Sequence, residues 1–287
     1  MKIWKDMKDK KILVVGLGMI GASYAKKLKE HRIYVGGISA RQSTIDYALE
    51  NGVIDSGSIE VTSDYVGRFD IIISALYPKL FIEWVKNYQQ LFKSGAILTD
   101  TTGIKCSVLY EIQSFLRKDV ELIGAHPMAG REVSGIESMD TGIFEGANYL
   151  ITPTDANTPE AVETARKIGE MLGFKSISVL SPEEHDEMIA FLSQLTHCIA
   201  VSLMCCKDST HLVDYTGDSF RDLTRIANIN EKMWPELFMM NRSELLEQMN
   251  LFEKEFSKLR KAVENRDVQT IREMLILSTS RRKQFNR

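Results

Sequence analysis

The chain is 287 residues long, 44% apolar and 26% charged, with a net charge of −3 at neutral pH. That balance gives no basic surface for nucleic acid or an anionic membrane, and the length predicts two domains with ample chain for a core. The four cysteines, Cys106, Cys198, Cys205 and Cys206, form no CxxC pair and read as reduced thiols of a cytoplasmic protein, two of them in helix cores. No metal is expected. Residues 1–6 are charged and lack the apolar core of a signal peptide, and no apolar run approaches the length needed to cross a bilayer. The basic residues Arg281, Arg282, Lys283 and Arg287 read as a solvated terminus.

An apolar run, Ile12-Leu13-Val14-Val15, passes straight into Gly16-Leu17-Gly18-Met19-Ile20-Gly21. A helical pattern follows on Ala22, Tyr24, Ala25 and Leu28, then a second apolar run, Ile33-Tyr34-Val35. Strand, glycine turn, helix and strand within about thirty residues have the dimensions of a dinucleotide-binding βαβ unit. Gly16 permits the tight turn, Gly18 lets a pyrophosphate approach the backbone, and Gly21 lets helix pack on strand. The N–H groups at the helix start, from Met19 and Ile20 on, receive the phosphate charge with the helix dipole behind them. At the end of the second strand, where NAD sites carry Asp or Glu, this chain has Ser39 and Arg41. A hydroxyl and a cation suit a 2′-phosphate, so NADP is favoured over NAD. The alternative is that Arg41 solvates a loop or stacks on adenine.

The alternation continues. A helix with Ile45, Ala48 and Leu49 ends at Asn51-Gly52, and a buried strand runs from Phe69 to Leu76, stopped by Tyr77-Pro78. An amphipathic helix follows on Leu80, Trp84, Val85 and Tyr88, then a strand from Ala96 to Leu98 that opens into Thr99-Asp100-Thr101-Thr102-Gly103. A helix from Val108 to Leu116 leads to a strand, Val120 to Ile123, ending at Gly124-Ala125-His126-Pro127. Strands alternating with helices predict a parallel, doubly wound sheet whose ligand sits beyond the carboxyl ends of the strands. Gly16, the Asp100–Gly103 turn and His126 are expected to converge there, with Leu76, Pro78 and Thr101 assigned to the cofactor.

At Ser181 the pattern changes. Ser181-Pro182-Glu183-Glu184 is a capping box with proline at the first helical position, and from there the chain reads as helix. The domains are accordingly residues 1–180 and 181–287. Leu245, Met249, Phe252, Phe256, Leu259 and Val263 recur at spacings of four and three. Such a seam either packs inside its own domain or forms a dimer interface; a helical domain this small favours the homodimer.

Polar residues of possible chemistry stand in the motif His126-Pro127-Met128-Ala129-Gly130, at Ser193 and His197, and in Phe220-Arg221-Asp222-Leu223-Thr224-Arg225-Ile226-Ala227. Singly each is ordinary: a strand-end or helix-core histidine can be structural, and Arg225 can pair with Asp222. Together with the glycine turn and Met233-Trp234, in this order and spacing, they resemble the prephenate/arogenate dehydrogenases of tyrosine biosynthesis. The resemblance implies a Rossmann-type N-terminal domain and an all-α C-terminal dimerisation domain. It also implies oxidative decarboxylation of prephenate to 4-hydroxyphenylpyruvate with NADP or NAD, by a monofunctional enzyme without the chorismate mutase or ACT domain of some relatives. By the same resemblance His126 takes the substrate's hydroxyl proton and His197 joins it at the catalytic centre from the helical domain. Arg225 binds a substrate carboxylate, with Ser193 and Thr102 in the substrate pocket. Where many relatives carry a serine that bonds the catalytic histidine, this chain has Gly103, so Thr101, Thr102 or a water is expected to orient His126. Arg131 either faces the substrate, favouring prephenate over the aminated arogenate, or points to solvent. Two other readings remain: an arogenate or related small-acid dehydrogenase, and a non-catalytic nucleotide-binding dimer. The joint presence of His126, His197 and Arg225 argues against the last.

Overall fold

The computed structural model describes residues 7–131, 133–208 and 211–285. The charged residues 1–6 and the terminal Arg287 lie outside the described residues. The first half builds β1 (Lys11–Val15), α1 (Met19–Glu30), β2 (Tyr34–Ile38), α2 (Gln42–Glu50), β3 (Ser56–Ser58), α3 (Ser63–Val66) and β4 (Ile71–Ser74). It continues through α4 (Pro78–Tyr88), β5 (Ile97–Asp100), α5 (Cys106–Phe115) and β6 (Glu121–Pro127). Then come β7 (Asn148–Thr152), α6 (Pro159–Leu172) and β8 (Ser176–Val179).

These strands form one eight-stranded sheet in the order β3-β2-β1-β4-β5-β6-β7-β8. The first six are parallel, with the reversal of direction between β1 and β4 that opens a crevice at the carboxyl edge. The expectation of a wholly parallel sheet needs correction at its far side. β7 runs antiparallel to β6, pairing His126 with Leu150, and β8 runs parallel to β7. The reason is the connection after Pro127: among the described residues it contains two short 3₁₀ turns, Ile136–Ser138 and Thr141–Phe144, and no crossover helix. Without a crossover a chain can only fold back beside its own strand.

Alternation along β1 divides the core. Ile12 and Val14 pack with Tyr24, Ala25 and Leu28 of α1 and with Ile168 and Leu172 of α6. Leu13 and Val15 face Phe81 and Val85 of α4 and Leu109 and Ile112 of α5. A strand covered by helices on both faces reads as an unbroken apolar run, which is what made β1 and β4 visible in the sequence.

The remainder is helical: α7 (Pro182–Ile189), a π-helical segment (Ala190–Leu195), α8 (Thr196–Cys205), α9 (Leu212–Tyr215), α10 (Asp218–Thr224), α11 (Met233–Met240), α12 (Arg242–Glu264) and α13 (Val268–Arg282). The capping box forms: Ser181 Oγ accepts from the Glu184 backbone N–H at 3.1 Å, and Glu184 Oε2 accepts from that of Ser181 at 2.9 Å. From there α7, the π segment and α8 run as one 24-residue helix, Pro182–Cys205, which by length and composition alone is apolar enough to cross a bilayer. This differs from the expectation that no apolar run approaches that length. The helix nevertheless buries the polar side chains of His185, Asp186 and Gln194, all hydrogen-bonded. The four cysteines are free thiols, Cys106 and Cys198 half-buried and Cys205 and Cys206 exposed. Of the α12 seam, Leu245 is buried, whereas Phe252, Phe256 and Val263 lie exposed, the two phenylalanine rings stacked 5.9 Å apart.

Candidate active site

The glycine turn is shaped as its residue types require. Gly16 sits at φ +92°, a left-handed conformation, with its would-be Cβ 2.9 Å from the Ala75 carbonyl. A Cβ on Gly21 would lie 1.9 Å from the Gly16 carbonyl, so α1 rests directly on the turn. Gly18 is different: nothing stands within 4 Å of its would-be Cβ. No side chain caps the first turn of α1, so the amides opened by Met19 and Ile20 face that clear space. A diphosphate fits such a cradle. Ser39 and Arg41 follow β2, with Arg41 exposed and its backbone N–H 3.4 Å from Ser39 Oγ. Leu76 and Pro78 follow β4, and Thr101 follows β5, its backbone N–H donating to the Ser74 carbonyl at 3.0 Å. The residues assigned to the cofactor thus lie along one edge of the sheet.

His126 stands at the end of β6, half-buried. Its Nδ1 lies 2.9 Å from Nε2 of His185, a fully buried residue of α7 that is 59 positions away. His185 Nδ1 lies 2.7 Å from Asp186 Oδ1. Asp186 already accepts the backbone N–H groups of Lys105 and Cys106, each at 2.8 Å. A carboxylate so held is an acceptor, so His185 carries its proton on Nδ1 and accepts at Nε2. His126 must then donate from Nδ1, which leaves the lone pair on its own Nε2. Burial disfavours a proton on His126, and the neighbouring His185 and Lys105 act in the same direction. His185 is likewise held below its ordinary range, by burial first and against the pull of Asp186. Both rings are neutral and the chain of bonds has one polarity, presenting a base.

The Nε2 edge of His126 looks across Gly103, whose would-be Cβ lies 3.8 Å from Nε2 and 3.9 Å from Leu237 Cδ1. Leu237 belongs to α11, which roofs the crevice. Glu236 accepts from the Lys79 backbone N–H at 2.7 Å, Asn230 Nδ2 donates to the Tyr77 hydroxyl at 3.3 Å, and Ser107 Oγ donates to the Met240 carbonyl at 2.7 Å. Gln194, in the π segment, donates to the Leu237 carbonyl at 3.1 Å. Three residues on, the His197 ring lies against Trp234 in a tilted pair, 3.9 Å between centroids, and its Nδ1 lies 2.8 Å from the Ser193 carbonyl. π segments frequently mark functional sites, and this one sets Ser193 and His197 on one face. Arg225, exposed, opens a 3₁₀ turn that packs against α8.

Two expected site residues are placed otherwise. Thr102 is buried, its hydroxyl in contact with Asp100 and 2.9 Å from the Ile104 carbonyl, so it neither faces the crevice nor orients His126. Arg131 pairs with Asp140 at 2.8 Å, with its side chain 56% exposed. The true orienting group, His185 with Asp186, was missed in the sequence. The signal available was weak: a His-Asp pair one turn inside a capped helix, among the charged residues such a turn ordinarily has.

Residues 24–178 match the family described as prephenate dehydrogenase, nucleotide-binding domain, and residues 181–277 match prephenate dehydrogenase, dimerization domain. A prephenate dehydrogenase of Lactococcus lactis is 31% identical over 270 residues, covering 91% of this chain and 73% of that protein. Among solved structures, the prephenate dehydrogenase of A. aeolicus in complex with hydroxyphenyl propionate and NAD+ aligns with a TM-score of 0.88 at 26% identity, over 97% of this chain and 99% of that one. The arogenate dehydrogenase of Synechocystis aligns with a TM-score of 0.83, also at 26% identity, over 96% and 99% of the two chains.

Proposed function

Because this chain belongs to the prephenate dehydrogenase family, we propose that it oxidises prephenate to 4-hydroxyphenylpyruvate with His126 as the base. It is a nicotinamide-dependent oxidoreductase. The observation that carries the site assignment is the polarity of the relay, which leaves a lone pair on His126 Nε2 at the carboxyl edge of the dinucleotide-binding sheet.

Prephenate has a ring hydroxyl, a ring carboxylate and a pyruvyl carboxylate. When bound, the oxidised nicotinamide supplies the hydride acceptor. His126 Nε2 takes the hydroxyl proton as hydride leaves the same carbon, and the resulting dienone carries a carboxylate that departs as carbon dioxide. Aromatisation drives that loss. His126 then returns its proton to the phenolate oxygen, so the chain ends the cycle with the protonation it began with. Arg225, as a planar fork, takes a substrate carboxylate; His197, with Ser193, lines the pocket from the helical side. Arg131, opposed by Asp140, adds little net charge and so gives little discrimination between prephenate and arogenate, which differ only in a keto group against an ammonium.

Ser39 and the exposed Arg41, with no carboxylate at that place, support NADP over NAD. We place the domain boundary at residue 180, between the end of β8 and the capped start of α7, and read the exposed face of α12 as the contact of a homodimer. The direct test is an absorbance assay of purified protein with prephenate or arogenate, each with NAD or NADP. Turnover of prephenate, faster with NADP, is expected. Turnover of arogenate alone would replace the substrate, preference for NAD would replace the cofactor, and silence in all four would remove the enzymatic reading.

A further inference from the structure

Ala125, the residue before the base, has Ile151 of β7 as its antiparallel neighbour on one side, while its own N–H and C=O point to the opposite edge of β6. On the other side the β5 ladder is already over, its last register pair being Thr99 with Ile123. Side chains take its place. Asp100 Oδ1 accepts from the Ala125 backbone N–H at 3.1 Å, and Lys105 Nζ donates to the Ala125 carbonyl at 2.7 Å. The two are joined to each other at 2.6 Å, both completely buried. Lys105 Nζ also lies 3.3 Å from Thr102 Oγ1, so its three donors meet three acceptors, the arrangement of an ammonium group. The same residue uses its backbone N–H to hold Asp186 at 2.8 Å, the far end of the relay.

We propose that Lys105 is a positioning residue for the base: its side chain, with Asp100, fixes the backbone that carries His126, while its backbone N–H fixes the carboxylate that orients His185. One residue thereby sets both ends of the His126–His185–Asp186 chain. This rests on the reading of His126 as the base. It also gives the ammonium group an electrostatic task, since a buried cation behind the two rings opposes a proton on either. Among the described residues, the charged groups acting on the relay are Lys105, Asp100 and Asp186. A buried salt bridge is weak evidence for stability, because an apolar pair of similar volume often does as well. Its retention beneath the base is what a positional task explains.

The test uses the full chain with Lys105→Met and, because that change strands the buried Asp100 carboxylate, also Asp100→Asn/Lys105→Met. Wild-type turnover of prephenate is measured first; its absence would defeat the functional reading, not this one. In whichever variant keeps the wild-type circular dichroism, kcat is expected to fall about tenfold or more, with both KM values held within about threefold. In Lys105→Met the acid limb of the kcat/KM profile should move to higher pH by about half a unit or more, because the cation that kept His126 unprotonated is gone; in the double variant, where the Asp100 and Lys105 charges leave together, the fall in kcat is the readout. Either folded variant with wild-type kcat, or a folded Lys105→Met with the acid limb unmoved, would overturn the proposal and leave Lys105 a packing residue.

Discussion

For His126 to act as the base proposed above, the imidazole must be neutral, one tautomer must dominate, and the free nitrogen must face the substrate. His126→Asn removes the acceptor and is expected to lower kcat by about 10²–10⁴ with KM little changed. Asp186→Asn turns an obligate acceptor into a group that also donates, which frees the tautomer of both rings; a fall in kcat of similar order is expected in steady-state assays. Arg225→Gln should act on the other kinetic constant, raising KM for prephenate by about tenfold or more as a charge-assisted bond is lost. The buried rings also tie stability to pH. Unfolded imidazoles titrate near pH 6.5, and here both are held lower, so the unfolded chain binds more protons as pH falls through about 6.5. The melting temperature should therefore drop from pH 7 to pH 5, and His185→Gln should lessen the slope. Of this group His126 was legible, because a histidine after an apolar strand end carries its own signal. His185, Asp186 and Lys105 were not, since their meaning lies in contacts across 20 to 81 positions of sequence.

Among elements, the glycine turn yields the sharpest contrast. Gly21→Ala drives a Cβ into the Gly16 carbonyl and should destabilise the fold itself, whereas Gly18→Ala meets open space and an ordinary φ of −79°. Thermal melts of the unliganded protein should therefore separate them, Gly18→Ala staying near wild type. Titration with cofactor should then show Gly18→Ala binding at least about tenfold more weakly, its new methyl lying in the diphosphate's path. β1, β2, β4, β5 and β6 were legible as apolar runs; β3, β7 and β8 were not. β3 is Ser-Gly-Ser, and β8 is Ser-Ile-Ser-Val with three of its four residues exposed, so neither has the apolar density that marks a central strand. The π segment was equally hidden. Its sequence, Ala-Phe-Leu-Ser-Gln-Leu, is an ordinary helical one, and the Gln194 within it bonds with Leu237 and Asn241, more than 40 positions away.

For the molecule as a whole, the seam on α12 and the match of residues 181–277 to a dimerization domain point the same way. Phe256→Glu places a charge on the exposed, stacked pair and is expected to shift sedimentation from dimer toward monomer. The seam was legible because its spacing is local; what it packs against is not encoded in one chain. The relay has its own bearing at this scale. The base stands on the sheet, the dyad that aims it stands on a helix of the other half, and Lys105 joins them. Many dinucleotide-binding sheets behave as cassettes, keeping their chemistry while the attached half is exchanged. Here such an exchange would carry away the groups that decide which nitrogen of His126 is basic. The two halves can therefore change only in step, and a chimera joining this sheet to a foreign helical half would inherit the nucleotide pocket but not the reaction.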